Sequence, residues 1–316
     1  MNVLSVYPNC SLGGMATVYK NRVLFGSKGR NTFVFRNDAG GRSDFEQLPN
    51  VDVKIVRGDR LANYVAYSVK VCDFDEVRVT SLPKLIKGIS EAGAKKIIYE
   101  FHTSTEKVIE AEIKECDLSS VSEFWVPSAY LKNVVLQLLP SAYRNRVLIK
   151  PNIVNNNIFS DAISFEDGRV FEGIPLLWVG RFDKGKNPKD FLRILSILPA
   201  KYTGVFVVSL EGDSERTDDF ISEAFAYGIS DRIRLFMNLS SEEMGRLCQQ
   251  IKHRKGLYCS TSLGESFGYS VAECLSSGLG VVAYDVGAIG EFENDNLHLI
   301  DVGDMYEFAN KIKMLT

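Results

Sequence analysis

The stretch GLYCSTSLGESFGYSVAECLSSGLGVVAYD, residues 256–285, holds a whole unit of architecture. GLYCS (256–260) and GVVAYD (280–285) are short apolar runs with the character of buried strands. Between them lies a polar loop, then a helical pattern that begins around Phe267 or Gly268, runs to Ser277 and is stopped by Gly278. Strand, loop, helix and strand in this order form a βαβ unit, which implies a parallel sheet.

The same alternation extends in both directions. IPLLWVG (174–180), GVFVVSL (204–210), RIRLF (232–236) and LHLIDV (297–302) complete a C-terminal series of strands. VLSVY (3–7), TFVF (32–35), VKIV (53–56), VRVT (77–80), KIIYEF (96–101), FWVP (124–127) and RVLIK (146–150) make an N-terminal one. Residues 151–173, rich in Asn, Asp and Gly and without periodic patterning, read as the linker. A chain of 316 residues fits two domains of about 150 each. The expected architecture is therefore α/β: two Rossmann-like, doubly wound domains, 1–153 and 154–316, facing a central cleft lined by strand C-termini and helix N-termini.

Composition narrows the class. With 45% hydrophobic and 24% charged residues the chain has the balance of a globular protein. No apolar run approaches the roughly 20 residues that span a bilayer, and the N-terminus lacks a basic region followed by a long apolar one, so a cytoplasmic location is expected. Six scattered cysteines without a C-x-x-C, and three histidines far apart, suggest neither a disulfide framework nor a metal site. Net charge is unevenly spread: residues 1–153 carry 21 Lys and Arg against 16 Asp and Glu, and the remainder 16 against 24. A basic front half can meet anionic lipid at the inner face of a plasma membrane, or a phosphorylated acceptor; a chance distribution over solvated faces explains it equally.

Four constellations carry candidate chemistry. In GESFGYSVAEC, unpaired amides at the helix start favour a phosphate, Gly268 lets it approach the main chain, and Glu265 and Glu273 flank it with carboxylates suited to vicinal hydroxyls. The spacing alone also fits a helix cap and a solvated face. In LLWVGRFDKGKNP, Arg181 and Lys186 follow a buried strand and can neutralise a diphosphate, although as an isolated pair they also fit surface charge. YPNCSLGGMATVYK places Gly13 and Gly14 between strand and helix, either a phosphate or acceptor turn or only a tight turn. His102 ends the strand KKIIYEFH, where it can line a cleft or simply pack.

In this order the elements resemble the retaining GT-B glycosyltransferases, specifically glycosyltransferase family 4. VGRFDKGKNP is similar to that family's G-R-x(4)-K turn, and GESFGYSVAECLSSGLGVVAYDVGAIGE to its E-x(7)-E element, strand and glycine-containing loop. GGMATVY, EFH, VPSAYLKNVV and VLIKPNIVNNNIF carry a looser likeness. The resemblance implies transfer of a hexose or N-acetylhexosamine from a nucleotide-diphosphate sugar, with UDP the commonest nucleotide, to a glycan or lipid-linked acceptor in surface polysaccharide or glycolipid synthesis. It implies no cofactor, metal or nucleic-acid partner. Arg181 and Lys186 would bind the diphosphate and Glu265 the donor sugar. The amides of Gly268, Tyr269 and Ser270 would cap phosphate oxygens, and Glu273 would take the ribose hydroxyls. Gly14 would lie near phosphate and acceptor, and His102 would face the donor sugar.

The chain departs from the family pattern in two places. Asn155–Asn157 stand where the linker usually has an Asp, and the chain stops after MYEFANKIKMLT, where many members continue with a helix crossing back to the first domain. CDFDE contains Asp73-x-Asp75, the metal-binding spacing of GT-A enzymes, read here as a solvated turn before a strand. Other readings of the same plan are a sugar-nucleotide epimerase, a phosphorylase, or a non-catalytic nucleotide-sugar-binding subunit of a glycan-assembly complex.

Overall fold

The computed structural model describes residues 1–26, 29–162, 171–208 and 214–316. Two compact units emerge, Met1–Ile153 and Val154–Thr316. Each is described by itself.

In the first unit, strands β1 (Asn2–Cys10), β2 (Arg30–Asp38), β3 (Val51–Ile55), β4 (Glu76–Thr80), β5 (Ile97–Glu100), β6 (Glu123–Val126) and β7 (Val147–Ile149) alternate with helices α1 (Gly14–Phe25), α2 (Arg42–Glu46), α3 (Arg60–Val71), α4 (Leu85–Glu91), α5 (Glu106–Glu115) and α6 (Ala129–Leu138). All seven strands pair in parallel, in the order β3-β2-β1-β4-β5-β6-β7. Alternating side chains send Val77, Val79, Ile97, Tyr99 and Phe124 to one face, where they pack with Leu61, Ile86, Ile109 and Leu131 of α3 to α6. On the other face Ala16 and Tyr19 of α1 and Phe45 of α2 pack on Phe33, Phe35 and Val53. This two-sided burial is what a parallel sheet requires.

The second unit repeats the plan. Its strands are β8 (Ile174–Gly180), β9 (Tyr202–Val208), β10 (Ile233–Met237), β11 (Leu257–Ser260), β12 (Gly280–Tyr284) and β13 (Leu297–Ile300). Its helices are α7 (Pro188–Ile197), α8 (Ser214–Ala226), α9 (Ser241–His253), α10 (Tyr269–Ser276) and α11 (Met305–Leu315). The parallel order is β10-β9-β8-β11-β12-β13. Strand order reverses between β1 and β4 in the first sheet and between β8 and β11 in the second. Loops leaving neighbouring strands at such a reversal diverge to opposite faces and open a crevice at the strand C-termini. The segments after β8 and β11 are residues 181–187 and 261–268.

Every strand expected from the sequence is present, with ends shifted by a few residues; Ser209 and Leu210, expected to end β9, lie outside the described residues. The linker reading changes in part. Residues 163–170 also lie outside the described residues, but Phe159 and Phe171 on either side are core side chains of the second unit. Gln249 donates to the Ser160 carbonyl (2.8 Å), Arg254 to that of Phe171 (3.0 Å), and Lys252 pairs with Asp161. Polar, Asn-rich composition concealed two buried aromatic anchors.

Candidate functional site

The second unit gathers the predicted residues of its two loops at the reversal of its sheet. β8 ends at Gly180, where a Cβ would meet Trp178 Cη2 and Lys186 Cγ at 3.0 Å each. The missing side chain lets the aliphatic stem of Lys186 lie back over the strand end. The turn that follows is closed by Asp183, whose Oδ1 accepts from the Lys186 amide (2.9 Å) and whose Oδ2 accepts from Arg181 Nε (2.9 Å). Asn187 then takes the left-handed conformation (φ 50°), and Pro188 at the first helical position starts α7. Asn187 Nδ2 donates to Asp190 Oδ2 (2.8 Å), which also accepts from Tyr284 OH (3.1 Å).

The second loop is stitched to the first. Buried Thr261 donates to the Asn187 carbonyl (2.7 Å) and accepts from Trp178 Nε1 (3.2 Å), and the Leu263 amide donates to the Gly185 carbonyl (2.8 Å). Across this seam Lys186 Nζ meets Glu265 Oε1 at 2.5 Å, with side-chain exposures of 27% and 11%. Two side chains 79 positions apart in the chain thus form a short, largely desolvated ion pair. Arg181 is 58% exposed, so its cation faces solvent beside the pair. Gly287, at φ 58°, brings the following turn against Glu265: the Ala288 amide donates to the Glu265 carbonyl (2.9 Å), and a Cβ on Gly287 would strike that oxygen.

α10 begins at Tyr269, one residue beyond the later of the two expected starts, Phe267 or Gly268. Gly268 is its N-cap, at φ 85°, and a Cβ there would collide with Ile289 Cδ1. Glycine is required twice over, by the left-handed backbone and by close packing. It also brings no side chain to cap the helix, so the amides of Tyr269 and Ser270 sit at the positive end of the helix dipole without a capping oxygen from that residue. The Ser270 hydroxyl and the buried Tyr258 hydroxyl share a hydrogen bond of 2.8 Å, which holds the first turn to β11. Glu273, one turn further on, is half-buried, and no hydrogen bond to its carboxylate occurs among the described residues. Burial alone raises its pKa from 4.5 to about 8. Such a carboxylate gains from any ligand that donates hydrogen bonds to it.

Gly14 and His102 belong to the first unit. Gly14 opens α1 after β1 and a Cβ there would meet open space, so packing does not demand glycine at this point. His102 follows β5, and its Nε2 lies 2.9 Å from Glu100 Oε2. Glu100 is fully buried and accepts from Arg22 of α1 through both oxygens (2.8 and 2.7 Å). Burial pushes its pKa up, but Arg22 and His102 outweigh it and hold the carboxyl at about 2. An ionised carboxylate can only accept, so His102 Nε2 carries a proton toward it. Arg22 also lies over the Trp125 ring, 5.6 Å from its centroid.

Sequence reasoning missed Glu100, Arg22, Asp183, Thr261 and Gly287. The signal for Glu100 was present: a carboxylate inside the apolar run KIIYEF must find a cation. Those for Thr261 and Asp183 were not, because each is fixed in part by a backbone group, the Asn187 carbonyl for Thr261 and the Lys186 amide for Asp183, that composition does not reveal.

No group of three or more His, Cys, Asp or Glu among the described residues is arranged to hold a metal ion. Asp73 pairs with Lys95 (2.5 Å), and Asp75 accepts from the Asn2 amide (2.7 Å), in the loop before β4. No described helix is long and apolar enough to cross a membrane.

Residues 161–316 match the family model described as glycosyl transferases group 1. A phosphatidyl-myo-inositol mannosyltransferase of Mycolicibacterium smegmatis is 24% identical over 241 residues, covering 73% of this chain and 59% of that protein. The chain thus spans about six tenths of the length of the curated relatives it matches. Among solved structures, Anabaena HepE in complex with UDP and glucose superimposes with a TM-score of 0.83 at 16% identity, over 99% of this chain and 89% of that one. WaaG, a glycosyltransferase involved in lipopolysaccharide biosynthesis, gives a TM-score of 0.74 at 13% identity, over 100% and 89%.

Proposed function

We propose that this chain, whose fold is GT-B and which resembles the glycosyltransferases of family 4, moves a hexose or N-acetylhexosamine from a nucleotide-diphosphate sugar to a glycan or lipid-linked acceptor. The observation that carries the proposal is the seam of the second unit. There Arg181, the Lys186–Glu265 pair and the N-terminus of α10 converge where the strand order reverses. A diphosphate meets two cations and a helix dipole there, and each gains strength as negative charge grows on the departing group. The cations supply what a divalent metal supplies elsewhere, and the proposed reaction needs none. Glu265 holds Lys186 in place before the donor arrives and accepts hydroxyls of the donor sugar afterwards. Glu273 accepts the ribose hydroxyls, and Gly14 and His102 act from the first unit on phosphate and sugar.

Retention of anomeric configuration fits this set. Glu265 is tied to Lys186, which suits it to accepting hydroxyls better than to the nucleophilic role of a carboxylate in a retaining glycosidase. Front-face attack, with the departing phosphate taking the acceptor's proton, asks for positioning and electrostatics, and the loops provide both. UDP is the proposed nucleotide, in line with the bound ligand of HepE, and a lipid-linked acceptor is in line with the name of the mycobacterial relatives. The proposed setting is the cytoplasmic face of a membrane, met by the basic first unit.

The test is binding and hydrolysis of UDP-glucose, UDP-galactose, UDP-N-acetylglucosamine and GDP-mannose in EDTA. Turnover of one donor, with NMR showing the α-anomer released first, supports the proposal. Binding without turnover in the presence of glycan and glycolipid acceptors would favour a non-catalytic subunit, and no binding to any donor would overturn the assignment. Binding to anionic vesicles that weakens as salt rises would support the membrane setting.

A further inference from the structure

We propose that Asp183 is a positioning residue that sets the geometry of both cations in the donor site. The inference rests on the proposed function above and deepens it.

One carboxylate is shared between the Arg181 guanidinium and the backbone amide of Lys186. Asp183 Oδ2 accepts from Arg181 Nε at 2.9 Å, and Oδ1 accepts from the Lys186 backbone amide at 2.9 Å. The turn is closed around the same residue, since its amide donates to the Arg181 carbonyl (2.8 Å) and its carbonyl accepts from the Asn187 amide (3.0 Å). Gly185 leaves room for it, because a Cβ there would lie 3.3 Å from Oδ1.

The contact with Arg181 is made at the back of the guanidinium. Nε is used, and among the described residues the Nη atoms donate to no other group. A 58% exposed arginine otherwise samples many rotamers and must give up that freedom to bind a ligand. Tied at Nε, it presents its planar Nη fork already oriented for diphosphate oxygens. At the other end, fixing the Lys186 amide fixes the start of the side chain whose Nζ reaches Glu265. The cost is a negative charge near the diphosphate. Asp183 is half-buried at 18% side-chain exposure and already shared between two donors, which blunts its repulsion.

The alternative role is a competing anion that screens Arg181 until donor displaces it. The two roles predict opposite signs. Asp183→Asn keeps an acceptor for the Lys186 amide but sets an amide against Arg181; Arg181→Lys keeps the charge and removes Nε. UDP dissociation constants would be measured by calorimetry in EDTA for the wild type, D183N, R181K, R181A and the D183N/R181A double variant. Thermal midpoints would be recorded for each.

We expect D183N and R181K each to weaken UDP binding about tenfold, and D183N to weaken it less than about threefold in the R181A background, as coupling through Arg181 demands. Equal effects of D183N in both backgrounds would overturn the inference, as would unchanged or tighter binding in D183N. If D183N fails to fold, R181K decides, since an exposed arginine can be exchanged without loss of the turn: unchanged affinity in R181K overturns the inference. Absence of UDP binding by the wild type would instead overturn the reading of the site itself.

Discussion

Replacing Glu273 by Gln isolates one proton. The wild-type carboxyl has a pKa near 8 in the folded chain because burial disfavours the charged form, against an ordinary value of 4.5. A folded-state pKa above the unfolded one means that the associated stability is complete below about pH 4.5 and is lost as the pH rises through about 8. At about 1.4 kcal/mol for each tenfold step, and discounted for the solvent contact that a half-buried side chain keeps, the loss is on the order of 3 kcal/mol. The glutamine variant has no proton to lose at this position. Thermal unfolding from pH 5 to 8 should therefore show the variant gaining on the wild type by roughly 5 to 10 °C, at a few degrees per kcal/mol, with no further gain above about pH 8.5.

Ligand binding should run the other way. If the ionised form accepts the ribose hydroxyls, wild-type affinity for UDP rises about fivefold between pH 7 and 8, as the ionised fraction climbs from about one tenth to one half. The Gln variant should lack that rise. Parallel stability profiles for the two proteins would refute the burial argument. A pH-dependent stability difference with identical UDP titrations would leave the burial intact and refute the ribose role.

Three further substitutions probe the same framework. Lys186→Ala should reduce donor turnover at least a hundredfold, on the scale of removing one preorganised transition-state donor, while circular dichroism stays native; near-normal turnover would remove Lys186 from the mechanism. Gly268→Ala forces a side chain into a left-handed position and against Ile289. It should cost about 2 kcal/mol or more in stability and shift the helix start enough to weaken UDP binding; a thermal midpoint equal to wild type would show that the close packing is not maintained in solution. Glu100→Ala removes the buried carboxylate that Arg22 and His102 share and should destabilise the first unit by about 3 to 5 kcal/mol, read by urea unfolding. Loss of activity without loss of stability would show instead that Glu100 serves His102 alone.

How far the sequence revealed this protein varied with the kind of interaction involved. The βαβ alternation survives translation into structure almost intact, because a parallel sheet buried on both faces demands near-continuous apolar runs, and IPLLWVG is β8 to the residue. Gly268 was equally legible: a glycine between a polar loop and an apolar helical pattern has few other uses, and its φ of 85° shows why no other residue serves. The pairing of Lys186 with Glu265 was not legible. Each side chain could be assigned to its own loop, but their contact depends on β8 and β11 being neighbours, a fact of strand order that no local pattern encodes. His102 was visible at a strand end while the buried Glu100 that orients it, two positions earlier, passed as part of an apolar strand.

The linker shows the same limit from the opposite side. Its Asn-rich composition describes the backbone's need for turns correctly, yet Phe159 and Phe171 bind it to the second unit through packing that two isolated aromatics cannot announce. Residues whose role is set by periodicity or by backbone conformation can be read from one sequence. Those whose role is set by a partner on another strand become readable once the order of strands is known. In this fold the reversal between β8 and β11 turns two ordinary loops into one seam. Cations of one loop then share a face with a carboxylate and a helix start of the other, and the chemistry proposed for the second unit depends on that adjacency.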